Sequence, residues 1–128
     1  MRKIVMGMML GMIAGQVSAA NWVTVGSDAE ADIQIDTESP VNTVGKFKTI
    51  WVKQVYKSPS SNHGASYGIG LFYYDCAARV QAIKSSFFYN GAGKLIGSGS
   101  EEIGQLKFND VVPDSHNATL AKLACKRG

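Results

Sequence analysis

Between Leu71 and Tyr89 the chain alternates apolar and polar side chains, and no other feature restricts its fold as sharply. The even positions Phe72, Tyr74, Cys76, Ala78, Val80 and Ala82 are apolar, with Asp75, Arg79 and Gln81 among their odd neighbours. A period of two places the two sets on opposite faces of a β-strand, which a helix cannot do. Beyond Ala82 the apolar set moves to Ile83, Phe87 and Tyr89. A strand cannot exchange its faces without an extra residue, so a bulge or break is expected near Lys84-Ser85-Ser86.

Shorter segments carry the same signal. Asn21 to Val25 reads as a strand with Trp22 and Thr24 on one face and Val23 and Val25 on the other, turned by Gly26-Ser27-Asp28. Asp32 to Asp36 alternates around Ile33 and Ile35, as a half-buried strand does. Thr37 to Gly45 reads as a connection. Lys46 to Tyr56 carries Phe47, Ile50, Trp51, Val52 and Val55 on both faces, which marks a central strand. Composition changes sharply over Ser58 to Gly70, and Ser58 to Ser66 has nothing to bury and reads as a mobile surface loop. Asn90-Gly91-Ala92-Gly93 is a hairpin turn returned by Lys94 to Ser98, and Gln105 to Asn109 is a further short strand candidate. After Pro113-Asp114-Ser115 the period changes. Asp114 or Ser115 supplies a cap, and Ala118, Leu120, Ala121, Leu123 and Ala124 form one side of a helix. The prediction is an α+β domain: an antiparallel β-sheet with a C-terminal helix packed on it.

Composition matters most at the N-terminus. All five methionines lie within the first twelve positions, in an apolar run from Ile4 to Ala14 that follows Arg2 and Lys3. With Val17-Ser18-Ala19-Ala20 after it, this is the pattern of a secretory signal peptide over 1–19, cleaved after Ala19 or Ala20. The remaining 20–128 is one domain. Losing Arg2 and Lys3 leaves 11 of the 13 basic residues against 10 acidic ones, so the formal charge falls from +3 to +1. A generic nucleic-acid binder needs a larger positive excess, so no nucleic acid is expected as a partner. The expected product is exported, with no membrane span and no cysteine near the cleavage site to take a lipid anchor.

Cys76 and Cys125 are the two cysteines. An even pair in an exported chain reads as a disulfide, and the spacing fits no redox or zinc pattern. Closing so long a loop is worth about 4 kcal/mol in the chain-entropy treatment. The bridge would tie the helix to the strand carrying Cys76.

Little in the sequence points to catalysis. His63 has Ser60, Ser61 and Ser66 near it, with Asp75 as a conceivable orienter, but a Ser/Gly-rich loop cannot hold three groups in register. It reads as an exposed loop histidine, and His116 as a solvent-facing residue of the first helical turn. The protein is read as no enzyme, with no cofactor and no metal. Asp28, Glu30, Asp32, Asp36 and Glu38 alternate as a solvated strand face rather than a calcium loop, with Asp36 suited to turning the connection after it. Lys46, Lys48, Lys53 and Lys57 form the most suggestive cluster. Strand periodicity places Lys46 and Lys48 on one face and Lys53 and Lys57 on the other, where Arg79 or Lys84 of a neighbouring strand could join them. The aromatics from Phe72 to Tyr74 and from Phe87 to Tyr89 fall on both faces, so those outside the core are free to form a dimer or ligand surface.

Taken in order, Trp22, Ile35-Asp36, Thr49-Ile50-Trp51-Val52-Lys53, the Cys76 strand, Pro113-Asp114-Ser115 and a terminal Cys125 resemble the surface-adhesin protein E family. These are small exported proteins of Gram-negative bacteria. The resemblance implies a compact antiparallel sheet with a packed helix, often dimeric. It also implies binding of host matrix or serum proteins such as vitronectin, laminin and plasminogen. In the family's best-known member the adhesive segment lies around the first cysteine's strand and uses basic residues just before it. Here the matching stretch, Tyr67 to Leu71, carries no charge. The expected function is therefore partner binding through Lys46, Lys48, Lys53, Lys57, Arg79 and Lys84, at the cell surface or secreted. The alternative is a soluble periplasmic accessory or inhibitor protein that binds a bacterial or host enzyme.

Overall fold

The structure is a computed structural model that describes residues 20–39 and 41–127; the predicted signal peptide lies outside them. The described strands are β1 (Trp22–Ser27), β2 (Ala31–Asp36), β3 (Asn42–Val44), β4 (Phe47–Tyr56), β5 (Tyr67–Asp75), β6 (Val80–Tyr89), β7 (Leu95–Ser100) and β8 (Asn109–Asp110). They form one antiparallel sheet in the order β1-β2-β4-β5-β6-β7, with β3 paired to β4 and β8 to β6. The helix α1 (His116–Arg127) packs on one face. The α+β architecture predicted from periodicity is the one observed.

The expected connection Thr37 to Gly45 contains β3, and of the strand candidate Gln105 to Asn109 only Asn109 lies in a strand, β8. Three further details differ from the sequence reading. The run from Leu71 to Tyr89 is two strands joined by a turn over Cys76 to Arg79. That turn has no glycine or proline to announce it. The Asp75 carbonyl accepts the Arg79 N–H at 2.8 Å, its carboxylate accepts the Ala78 N–H at 3.1 Å, and Arg79 takes φ 59°. The exchange of faces is a bulge, as expected: Phe72 stands opposite Ile83 and Leu71 opposite Ser85, leaving Lys84 as the extra residue.

Second, β5 begins at Tyr67 rather than at Leu71, and the loop before it contains a short 3-10 turn, Pro59–Asn62. Gly68 and Gly70 are buried. A Cβ on Gly68 would lie 3.0 Å from the Phe88 ring, and one on Gly70 3.0 Å from Phe72. These glycines are needed because aromatic rings lie across them, not because the chain turns there. Third, His116 is half-buried rather than facing solvent. Its ring covers Gly26, and its Nε2 lies 2.9 Å from the Asp28 carboxylate. The N–H groups of Ala31 and Glu30, followed by His116, hold Asp28 below the ordinary carboxylate range.

The core lies between sheet and helix. Ile33 and Ile35 of β2, Ile50 and Val52 of β4, and Phe72 and Tyr74 of β5 meet Leu120 and Ala124. Tyr74 is 1% exposed, yet its phenol donates to Asn117 Oδ1 at 3.1 Å, so the buried hydroxyl is satisfied. The Ser115 hydroxyl accepts the Ala118 N–H at 3.2 Å and so caps the helix. At the other end Cys125 is bonded to Cys76 across 49 residues, with Cα atoms 5.8 Å apart. The predicted disulfide thus pins the last turn of α1 to the β5–β6 turn.

Candidate partner-binding face

Strand alternation gives the sheet a second face, and the helix leaves it uncovered. Across it Gln34 faces Lys53, Lys53 faces Ile69, and Ile69 faces Phe87. The next rows are Trp51 with Leu71, and Val55 with Tyr67 and Tyr89. All of these side chains are half-buried. An apolar surface of this kind on a small domain calls for an explanation beyond folding.

The centre of this face is a row of rings around one cation. Lys53 Nζ lies 4.5 Å from the centre of the Tyr67 ring and 5.7 Å from that of Trp22, which β1 brings in from the sheet edge. Tyr67 stacks on Tyr89 with centroids 4.8 Å apart and planes 15° from parallel. The ring faces satisfy the ammonium while its stem covers apolar surface. Towards one end of this face lies a groove of about 450 Å³, floored by Thr49, Trp51, Leu71 and Tyr73 and walled by residues of the β2–β3 connection, Glu38 among them. That connection is anchored by Asp36. Burial pushes the Asp36 carboxyl up, but the N–H groups of Asn21 and Glu38, each 2.9 Å away, outweigh it and hold the group below the ordinary range. The turning role expected of Asp36 is observed.

The six predicted contact residues do not form one patch. Lys53 sits at the centre of the open face. Lys57 follows β4 and reaches Ser27 at 3.1 Å and Asp32 at 3.7 Å. Lys46 precedes β4, lies over Phe47 and pairs with Asp75 at 3.4 Å at the opposite end. Lys46 and Lys48 do not share a face. Lys48 stands opposite Tyr74 on the helix side and donates to Thr43 at 2.9 Å, whereas Asp75 is one residue on from Tyr74 and belongs to the open side. Arg79 lies in the β5–β6 turn and Lys84 at the bulge. The sequence reading did not single out Trp22, Tyr67 and Tyr89 as a unit. The signal available was Tyr67, Ile69 and Leu71 alternating with glycine.

Chemistry beyond contact has little to build on among the described residues. No group of three or more His, Cys, Asp and Glu is placed to hold a metal ion. His116 and Asp28 border a broad depression of about 1120 Å³ along the outside of the helix, next to Ser115. The Ser115 hydroxyl, however, donates to the Val112 carbonyl at 2.7 Å and accepts from Ala118, so it caps the helix and does not face the imidazole. His63 ends the 3-10 turn in left-handed conformation at φ 57° and is exposed. No helix among the described residues is long and apolar enough to cross a membrane.

Comparison with solved structures finds protein E of Haemophilus influenzae, in its second crystal form. It is 12% identical, with a TM-score of 0.51, and the match covers 86% of this chain and 98% of that one. At that identity the likeness is one of fold. No curated protein matches the chain. The sequence profile described as surface-adhesin protein E matches residues 22–126, nearly the whole described domain. The disulfide-pinned helix, the single sheet and this match together place the chain in the surface-adhesin protein E family.

Proposed function

We propose that this protein is an exported, non-enzymatic adhesin that binds a host extracellular-matrix or serum protein through the open face of its sheet. The observation carrying this reading is the row Trp22, Lys53, Tyr67 and Tyr89, held half-buried on the side the core does not use. Tyrosine and tryptophan are among the residue types that dominate interface energetics, and Lys53 adds a positive charge for an acidic group of the partner. The uncharged stretch Tyr67 to Leu71 has its missing cation supplied across the strands, because Lys53 of β4 lies over Tyr67. Lys57 and Lys46 flank the row at opposite ends, while Lys48, Arg79 and Lys84 stand apart from it.

Binding to immobilised vitronectin, laminin and plasminogen tests the proposal. At least one should bind, with affinity falling as salt rises. Lys53→Glu should lower that affinity at least tenfold, and Lys84→Glu should leave it unchanged. Failure to bind any of the three, or binding indifferent to Lys53→Glu, would refute the proposed face. The reading also places the domain outside the cell, so protease added to intact cells should digest it. Protection until osmotic shock would make it periplasmic.

A further inference from the structure

We propose that the outer edge of β7 is a docking site for an extended segment of a partner protein carrying one large apolar side chain. Gly97-Ser98-Gly99-Ser100 of this strand has neither charge nor proline, and among the described residues no strand pairs with its outer edge. Natural edge strands are normally blunted by such residues. The other edge, β1, carries a bulge at Val25, and His116 packs its ring on Gly26 there. The bulge in β7 falls at Ile96, at its start, so Gly97 to Ser100 runs regularly against β6.

The direction of the free backbone groups follows from one hydrogen bond. The Glu101 N–H donates to the Lys84 carbonyl at 2.9 Å, while Ser100 stands opposite Ser85. Ser85 and Ser100 are therefore a non-bonded pair of the antiparallel ladder. Alternation then turns the N–H and C=O of Ser100 and Ser98 away from β6. What satisfies that edge is another extended backbone.

A side-chain pocket lies beside it. Phe88 covers Gly68, is 37% exposed, and forms with Tyr56, Ala65, Ile96 and Gly97 a cavity of about 280 Å³. Gly97 stands opposite Phe88, and even a Cβ on it would lie 3.9 Å from the ring. A residue facing Gly97 from an added strand can therefore lay its side chain across the glycine onto Phe88. A second copy of this chain does not meet that demand. Antiparallel self-pairing centred on Ser98 sets Gly99 against Gly97 and leaves the pocket empty. Lys94 before the strand and Glu101 and Glu102 after it add a preference for opposite charges at the two ends of the incoming segment.

The test uses the signal-free domain and a fluorescein-labelled peptide of alternating threonines with one central phenylalanine, a lysine at one end and a glutamate at the other, made in both orders. Fluorescence anisotropy should show binding by one order. Replacing the peptide's phenylalanine by threonine, or Phe88→Ala in the protein, should weaken it about tenfold, a loss of roughly 1.4 kcal/mol. Ser98→Pro removes an outward N–H and spares the ladder to β6, so it should abolish binding while the melting curve persists. If that variant does not fold, a peptide N-methylated at its inward amides replaces it and should fail to bind the wild type. Lys53→Glu should have no effect, which separates this edge from the open face. Three results overturn the proposal: neither order binds, binding survives both Ser98→Pro and N-methylation, or sedimentation finds a dimer that Ser98→Pro dissociates.

Discussion

The two faces of the sheet are made from similar residues and do different work. On the helix side, Val52, Tyr74, Leu120 and Ala124 are almost wholly excluded from water, and the one buried phenol has a partner in Asn117. On the open side Trp22, Lys53, Tyr67 and Tyr89 are no less interlocked, but each keeps an edge in solvent. The first arrangement gains its free energy from complete burial, the second from rings that shield one another and a cation. Stability should therefore be concentrated on the helix side, and binding on the other. Variants of graded severity can break that division or sharpen it.

The largest effect is expected where the helix is pinned. Replacing both Cys76 and Cys125 by serine frees the last turn of α1 and should cost about 4 kcal/mol, lowering the melting temperature by more than ~10 °C in calorimetry. Next comes Leu120→Ala, which leaves a hole in the core that Leu120 shares with Ile33, Ile50 and Phe72 and should cost about 3 kcal/mol by urea unfolding. Both variants, measured where they remain folded, should keep the wild-type affinity for partner. Affinity lost in step with stability would mean that the open face depends on the helix behind it.

A smaller, pH-dependent term comes from Asp36, which joins the start of β1 to the end of β2. Its folded pKa lies below the unfolded value, so the ionised form is preferred in the native state. The stability it supplies is present above the unfolded value near 3.8 and is lost as pH falls through the lower folded value. Asp36→Asn should cost about 1 to 2 kcal/mol at neutral pH and progressively less below about pH 4. Equal losses at pH 7 and pH 3 would show that the amide geometry, not the charge, carries the contribution.

Periodicity reported the sheet, its central strand, the bulge at Lys84 and the helix well, because each of these is a question of which side of an element a residue occupies. It was less informative where backbone hydrogen bonds decide. The turn after Asp75 is made by a carboxylate and a left-handed arginine, and no residue type in Cys76 to Arg79 advertises it. Gly68 and Gly70 look like loop residues for the same reason: composition cannot distinguish a glycine that turns from one that lies beneath a ring. The lysines were legible as a cluster but not as a site. Their partners, Asp32, Asp75, Thr43 and the rings around Lys53, come from other strands, and only the register brings them together.

The smallest expected change in stability is also the sharpest test of the division between the faces. Lys53→Met keeps the apolar stem between Trp22 and Tyr67 and removes the ammonium alone. An ammonium over partly exposed rings contributes about 0.5 to 1 kcal/mol, and the methionine thioether recovers part of that by its own contact with the rings. The urea midpoint should therefore move little, by less than ~1 kcal/mol in ΔG. Partner affinity should fall at least tenfold, about 1.4 kcal/mol, because the charge is lost where the partner sits. If unfolding instead costs more than ~2 kcal/mol and binding is spared, the ring row is part of the scaffold. The contact surface must then be sought at the sheet's edges.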